Sequence, residues 1–244
     1  MIEGLLLDLD GTLINQNDQI SFCVKDMVKG FAQIIPVSII SGRESKEVNK
    51  FANELQLRSI QFSDNGARII ESRSGTTIMA VNIQELLVKN IFKKILKNKL
   101  KFLATSNDNT FDSLSDVDTF EISTIVICLD DLDYAREFRS EYSDELGLRV
   151  NISSDSNREK FYVNFNHSHV SKGIATNYFC RIYSLNKSRV MAIGDSYNDL
   201  EMLQEVGVSV AMQNAPKEVK NVARYVVGDV KNDGVEEALL KFYN

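Results

Sequence analysis

The chain has 244 residues, 43% of them hydrophobic and 25% charged, with a formal net charge of −6. That length holds one large domain or two modest ones, in the composition of an ordinary globular protein. The acidic balance, with both signs mixed along the chain, argues against nucleic-acid and anionic-membrane partners, and no apolar run is long enough to cross a bilayer. Cys23, Cys128 and Cys180 are odd in number and widely scattered, as expected of reduced core thiols rather than a disulfide frame or a metal site. The first core segment starts without a leader, so the expectation is a cytoplasmic protein, a monomer or a small homo-oligomer.

The opening stretch from Leu5 to Ile14 reads LLLDLDGTLI. Leu5, Leu6 and Leu7 predict a buried strand. Alternation along that strand puts Asp8 and Asp10 on one face at its carboxyl end and Leu9 on the other. Gly11 can break the strand into a turn and let a ligand approach the backbone. Open α/β sheets place ligands at this end. One carboxylate there can attack an electrophile while its neighbour moves a proton. Taken alone, DLDG is also a polar exit from a strand, and partners later in the chain must decide.

Next, the spacing of Val24, Met27, Val28 and Phe31 predicts an amphipathic helix over 20–34. Pro36 precedes a strand over 37–40 that runs into Ser41-Gly42-Arg43, and Val48, Phe51, Ala52 and Leu55 mark a second helix. Strand, helix, strand, helix is the rhythm of a parallel sheet with crossover helices. Residues 59–80 predict short strands joined by turns at Asn65-Gly66 and at Arg73 to Gly75.

From Asn82 the pattern changes. A helix (Ile83, Leu86, Leu87, Ile91, Ile95) precedes strands at 100–104 and 122–129, with a polar loop between them. A second helix (Leu132, Ala135, Phe138, Tyr142, Leu146) precedes strands at 148–152 and 161–165. This is an α+β module of roughly 85 residues, within the usual size of a domain. Its basic cluster, Lys89 to Lys101, interleaves with apolar residues as a solvated helix face does. The first rhythm then resumes. Ser171-Lys172-Gly173 opens a helix, and a strand over 190–193 ends in Gly194-Asp195. A helix over 198–206, a strand over 208–211, a helix over 216–223, a strand over 225–227 and a closing helix over 235–242 follow. The division is a discontinuous core, 1–81 and 167–244, around an inserted domain, 82–166.

The ends of the predicted core strands carry Asp8, Asp10, Ser41 and Asp195. Asp199 lies one helical turn beyond Asp195, and Lys172 opens the helix that leads into that strand. A parallel sheet brings these ends to one edge. Converging carboxylates repel one another unless a cation lies among them, and oxygen ligands with retained waters suit magnesium. A phosphoryl group needs a cation, a lysine and hydroxyl donors, which this inventory contains.

The strings DLDGTL, SGR, SKG and GDSYNDLEML, in that order, resemble the four motifs of the haloacid dehalogenase-like hydrolases, a family made mostly of phosphatases. SDNGA, AMQNA and NDGV resemble its Cof-like subgroup, whose α+β cap (type IIB) is inserted between the second and third motifs. The resemblance implies an α/β fold, a Rossmann-like parallel-sheet core with an inserted α+β cap domain. It implies a Mg2+-dependent phosphatase that hydrolyses a small phosphorylated metabolite, first a sugar phosphate, through an aspartyl-phosphate. Residue by residue, it makes Asp8 the nucleophile and Asp10 the general acid and then base. It puts phosphoryl oxygens on Ser41, Gly42, Lys172 and Asn198. It puts the metal on Asp8, the backbone carbonyl of Asp10 and Asp195, with Asp199 as ligand or support. Thr12 would fix the backbone. Many relatives have threonine where this chain has Ser41, and the hydroxyl is kept.

Arg43 can meet substrate or an acidic neighbour. Asn166 and His167, beside Asn164 and His169 at the return from the insertion, can touch substrate or serve packing. A phosphatase for short acids of the phosphoglycolate type and a phosphomutase stay open. So does a catalytically idle binding module, which would be expected to lack Asp8 or Asp10.

Overall fold

Four consecutive buried residues, Gly4–Leu7, form β1, the central strand of the core. In the computed structural model, which describes residues 2–106, 109–117, 119–154 and 159–242, β1 pairs in parallel with strands on both sides. A strand flanked on both edges and covered on both faces has to be apolar throughout. Leu5 and Leu7 point to one layer and Leu6 to the other.

In chain order, α1 (Phe22–Ala32) starts where the Ser21 hydroxyl accepts from the Val24 N–H, and it is followed by β2 (Val37–Ile39) and α2 (Ser45–Glu54). Three short strands, β3 (Gln61–Ser63), β4 (Arg68–Ile70) and β5 (Thr77–Ala80), form an antiparallel sheet of their own. It joins the core where the Ser41 N–H donates to the Phe62 carbonyl, 3.0 Å away.

The insertion follows: α3 (Glu85–Asn98), β6 (Lys101–Ser106), β7 (Asn109–Phe111), β8 (Ile122–Leu129), α4 (Leu132–Ser140), β9 (Leu148–Ser154) and β10 (Phe161–His167). The core then resumes with α5 (Lys172–Ile182), β11 (Val190–Gly194), α6 (Leu200–Glu205), β12 (Val208–Met212), α7 (Lys217–Val222), β13 (Tyr225–Val227) and α8 (Gly234–Leu240).

The core sheet has the order β13-β12-β11-β1-β2, and all its pairings are parallel. On the Leu5–Leu7 side it is covered by Val28 and Phe31 of α1, Phe51 of α2 and Leu239 of α8. On the Leu6 side it is covered by Phe179 of α5, Met202 and Leu203 of α6 and Val219 of α7. The insertion is an antiparallel sheet, β7-β6-β8-β10-β9, with a separate apolar cluster. One face of that sheet (Phe102, Ala104, Ile125, Ile127, Val163, Phe165) packs on α3 and α4. The alternate residues Leu103, Thr105, Thr124, Val126, Tyr162 and Asn164 face the core across a cavity.

Several local expectations change. Strand β1 ends at Leu7; Asp8, the next residue, still falls on the Leu6 side and meets Lys172, but Asp10 lies beyond the strand, where alternation no longer places it. The polar stretch between β6 and β8 contains β7, whose Asn-Thr-Phe pairs with the end of β6, while residues 107–108 and 118 of that stretch lie outside the described residues. Helix α4 ends at Ser140, leaving Tyr142 to pack on Phe165 from the following turn. The helix over 198–206 divides into a 3-10 turn, Tyr197–Asp199, and α6. All three cysteines are unpaired, with Cys180 buried and Cys23 exposed. No helix among the described residues is long and apolar enough to cross a membrane.

Because the insertion has its own core, its stability is testable by itself. Phe138 is fully buried there, edge-on to Phe165 at 6.3 Å between ring centroids. Phe138→Ala is expected to destabilise the protein by about 3–5 kcal/mol. Chemical denaturation measures the loss, and limited proteolysis should then cut first within residues 82–166. A loss below about 1 kcal/mol would mean that the ring is not part of a close-packed core.

Candidate active site

The carboxyl ends of β1, β2 and β11 and the N-terminus of α5 meet beneath the cavity. Helix α5 begins where the Ser171 hydroxyl accepts from the Ile174 N–H at 3.1 Å, and its first residue, Lys172, turns inward. The Lys172 ammonium is 1% exposed and donates to Asp8 Oδ1 and Asp199 Oδ1, both at 2.6 Å. Burial alone would lower the lysine pKa. The two carboxylates, Asp199 first, outweigh it and hold Lys172 charged, above the ordinary lysine range. Burial, together with the charge on Asp199, pushes Asp8 up to about 7 even against Lys172.

Asp199 is fixed from its other side. Its Oδ2 accepts from the Asp195 and Ser196 N–H groups at 3.0 and 2.9 Å. With Oδ1 on Lys172, both oxygens of Asp199 already have partners. Asp195 differs. Its Oδ2 accepts from Asn214 Nδ2 at 2.7 Å, while its buried Oδ1 has no hydrogen-bond partner among the described residues. Burial first, and then the charges of Asp8 and Asp199, hold Asp195 well above the usual carboxylate range. Gly11, at φ +76°, passes so close that a Cβ there would lie 2.4 Å from Asp195 Oδ2, so no larger residue fits the turn.

Carboxylate oxygens of Asp8, Asp195 and Asp199 lie within 4.8 Å of one another. The all-oxygen donor set and the orphaned oxygen of Asp195 fit a hard divalent cation. Asp8 and Asp195 suit direct ligation, whereas the satisfied carboxylate of Asp199 suits support.

Asp10 lies apart from this floor. Its side chain is 48% exposed, and both of its oxygens accept from Arg43, Nε at 2.9 and 3.1 Å and Nη2 at 2.6 Å. Arg43 also bonds Asp18 Oδ1 at 2.6 Å and Glu47 Oε1 at 2.9 Å. Of the two pairings open to it, Arg43 takes the acidic neighbours here. Ser41 is buried at the end of β2, its hydroxyl accepting from the Arg43 N–H at 3.1 Å, and Gly42 lines the cavity beside it. Asn198 also lines the cavity, and its amide donates to Asn65 Oδ1 at 2.9 Å. Thr12 is buried in the turn after Asp10.

Asn166 and His167 fall elsewhere. The Asn166 amide is buried between the domains and donates to the backbone carbonyls of Asp64 in the core and Ser123 in the insertion, at 3.2 and 3.1 Å. His167 accepts from the His169 N–H at 3.1 Å, and neither residue lines the cavity. In this structure Asn166 is a strut between the domains and His167 closes a turn with His169. Asn164, by contrast, does line the cavity, its amide bonded to Ser153 at 2.9 Å.

The cavity is about 870 Å³. Its floor and rim are Asp8, Asp10, Gly42, Arg43 and Asn198, and its roof is Thr105, Thr124, Val126, Ser153, Tyr162 and Asn164. Contacts at its edge seat the insertion on the core: Thr110 on Glu44, Asn109 on Lys46 and Arg149 on Glu201. Motif reading had given no role to Asn214, Asn65 or Asp64, nor to the roof. A usable signal for part of the roof existed in β9 and β10, where polar residues alternate with apolar ones.

A family model described as haloacid dehalogenase-like hydrolase matches residues 5–117 and 108–239. The chain is 26% identical to the phosphoglycolate phosphatase of Methanobrevibacter smithii, over 99% of this chain and 98% of that one. It is 25% identical to the 5-amino-6-(5-phospho-D-ribitylamino)uracil phosphatase YcsE of Bacillus subtilis, over 98% and 94%. The fold is that of the solved HAD subclass IIB sugar phosphatase BT4131, with TM-score 0.81, 18% identity and 99% of each chain covered.

A pH-dependent effect follows from the raised carboxyls. Unfolded, Asp8 releases its proton near pH 3.8; folded, it holds it to about 7, and Asp195 is raised likewise. The stability of the metal-free protein therefore falls as pH rises from about 4 to about 7 on account of these groups. A divalent cation bound among these carboxylates would reverse that loss. Magnesium chloride is expected to raise the melting temperature more at pH 8 than at pH 5, and Asp195→Asn to remove most of the gain. Equal shifts at the two pH values, or an undiminished shift in the variant, would contradict the assignment of the cation to these carboxylates.

Proposed function

The chain belongs to the haloacid dehalogenase-like hydrolases, and on that premise we propose that it is a magnesium-dependent phosphatase of small phosphorylated metabolites, a sugar phosphate foremost. The observation that carries this reading is the buried Asp8–Lys172–Asp199 arrangement beside the unpartnered oxygen of Asp195, at the floor of a cavity with a hydroxyl-rich roof.

In this reading an Asp8 oxygen attacks phosphorus, the bond from phosphorus to the leaving oxygen breaks, and an aspartyl-phosphate forms on Asp8. Asp10 gives the leaving oxygen its proton. Water then attacks phosphorus while Asp10 takes a proton back, releasing phosphate and Asp8. Both Asp10 oxygens are engaged by Arg43, so the Asp10–Arg43 pair has to open for Asp10 to reach the leaving oxygen. Lys172 keeps Asp8 oriented and offsets charge on the phosphoryl group, with Ser41, Gly42 and Asn198 as further donors. Magnesium, held by Asp8, the Asp10 carbonyl and Asp195, would supply electrostatic neutralisation of the phosphoryl oxygens.

Thr105, Thr124, Ser153, Tyr162 and Asn164 offer hydrogen bonds to a polyol. The rim carboxylates Asp10, Asp18, Glu44 and Glu47 would repel an anionic leaving group. Both features favour a sugar or polyol over a short acid. The second reading, a phosphoglycolate-type phosphatase, has support from the relative of that name.

A panel of hexose, pentose, polyol and short-acid phosphates, assayed beside a phosphopeptide and a phosphorylated oligonucleotide end, tests the reading. Catalytic efficiency is expected to be highest for a sugar or polyol phosphate. Asp8→Asn should cost at least about 10³-fold in kcat, and trapped adduct should map to Asp8. A phosphopeptide or oligonucleotide outperforming every small ester by about tenfold, or an adduct on another residue, would overturn it.

A further inference from the structure

Resting on the phosphatase reading, we propose that Asn65 is a positioning residue that fixes the Asn198 amide so that one of its N–H groups faces the substrate's phosphoryl group. Asn65 lies in the turn after β3, is 2% exposed and has a left-handed backbone, φ 59°. Asp64 before it is also left-handed, at φ 52°. Such a turn tolerates asparagine and suits glycine better. The backbone therefore gives no reason for a side chain here, and the reason has to lie in what that side chain touches.

It touches the candidate phosphoryl-binding groups from two elements. Asn65 Oδ1 accepts from Asn198 Nδ2 at 2.9 Å, across 133 residues of sequence. The same oxygen lies 3.3 Å from where a Cβ would stand on Gly42, and the Asn65 N–H donates to the Ser41 carbonyl at 2.8 Å. The turn is thus stitched to the Ser41–Gly42 corner on one side and to Asn198 on the other. Two polar atoms at this junction are buried with no partner among the described residues: Nδ2 of Asn65 and Oδ1 of Asn198. Buried amide groups without partners are costly in a purely structural contact.

The chemistry explains why the orientation matters. A primary amide has a donor end and an acceptor end of nearly equal shape. With Asn198 turned one way, a second N–H remains for a phosphoryl oxygen; turned the other way, a carbonyl oxygen would face that anion and repel it. With Asn65 presenting its Oδ1, as it does here, the first orientation is the one that bonds.

The test is a double-mutant cycle of Asn65→Gly, which keeps the left-handed turn and removes only the side chain, with Asn198→Ala. The readouts are KM, kcat, melting temperature and the calorimetric affinity for inorganic phosphate with magnesium. Asn65→Gly is expected to weaken phosphate binding and raise KM by about tenfold, with kcat within about twofold and the melting temperature within about 4 °C. On the Asn198→Ala background, Asn65→Gly should add nothing. An effect of Asn65→Gly that persists undiminished in that background would overturn the proposal. So would unchanged phosphate affinity in either single variant, or a loss confined to kcat and stability. Phosphate affinity needs no turnover, so a protein that binds phosphate but hydrolyses no ester fails the phosphatase reading while the cycle still decides on Asn65.

Discussion

A buried ammonium held between two carboxylates organises the rest of this molecule. Lys172 is the first residue of α5, where the helix N-terminus already presents positive partial charge, so both position and burial work against a cation there. It persists because Asp8 arrives from the end of β1 and Asp199 from the turn after β11, each 2.6 Å away. Three segments far apart in sequence are thereby tied at one point. Removing any one charge leaves the others buried and unbalanced, which is strongly destabilising. The same arrangement leaves Asp8 turned to the cavity floor and Asp195 with an oxygen to spare, so the constraint that stabilises this edge of the sheet also prepares it for chemistry.

Strand parity supplies the geometry. Leu6 packs under α5 and α6, and the residue two further on, Asp8, continues toward that side and meets Lys172. The inserted sheet uses the same rule on a second level. One set of alternate residues forms its apolar cluster with α3 and α4, and the other set is the cavity roof. Cavity floor and roof therefore belong to different hydrophobic cores, and roof residues can differ without disturbing either.

This division explains what the sequence discloses. Asp8, Lys172 and Asp195 are legible because each marks the edge of a strongly apolar or well-capped element, and element ends in a parallel sheet converge. That a second sheet with its own apolar cluster interrupts the parallel one is legible from the change in rhythm along the chain. The position of Asp10 was not, because alternation applies only while the strand lasts and β1 stops at Leu7. Asn166 resembles a ligand contact in sequence, being polar at a domain return, but two backbone carbonyls left by the crossing chains take its amide. Strand β7 is hidden because it is three residues long with one apolar residue, Phe111, and is defined by its pairing with β6. Asn65 and Asn214 act across 133 and 203 residues, respectively, on partners that no local spacing can name.

The distribution of charge around the cavity has one more consequence. Lys172 faces Asp8, Asp195 and Asp199, and Arg43 faces Asp10, Asp18 and Glu47, so each cation is outnumbered by carboxylates. A phosphate dianion entering such a site meets repulsion that hydrogen-bond donors alone do not offset. The raised carboxyls of Asp8 and Asp195 express the same excess from within. Both strains would be relieved by one divalent cation among the floor carboxylates. In the proposed reaction that cation is therefore needed for substrate to bind as much as for the bond to break, and it would bind before the phosphoryl group. Arg43 cannot substitute for it. Its three carboxylate partners hold it at the rim, where it restrains Asp10 until the pair opens.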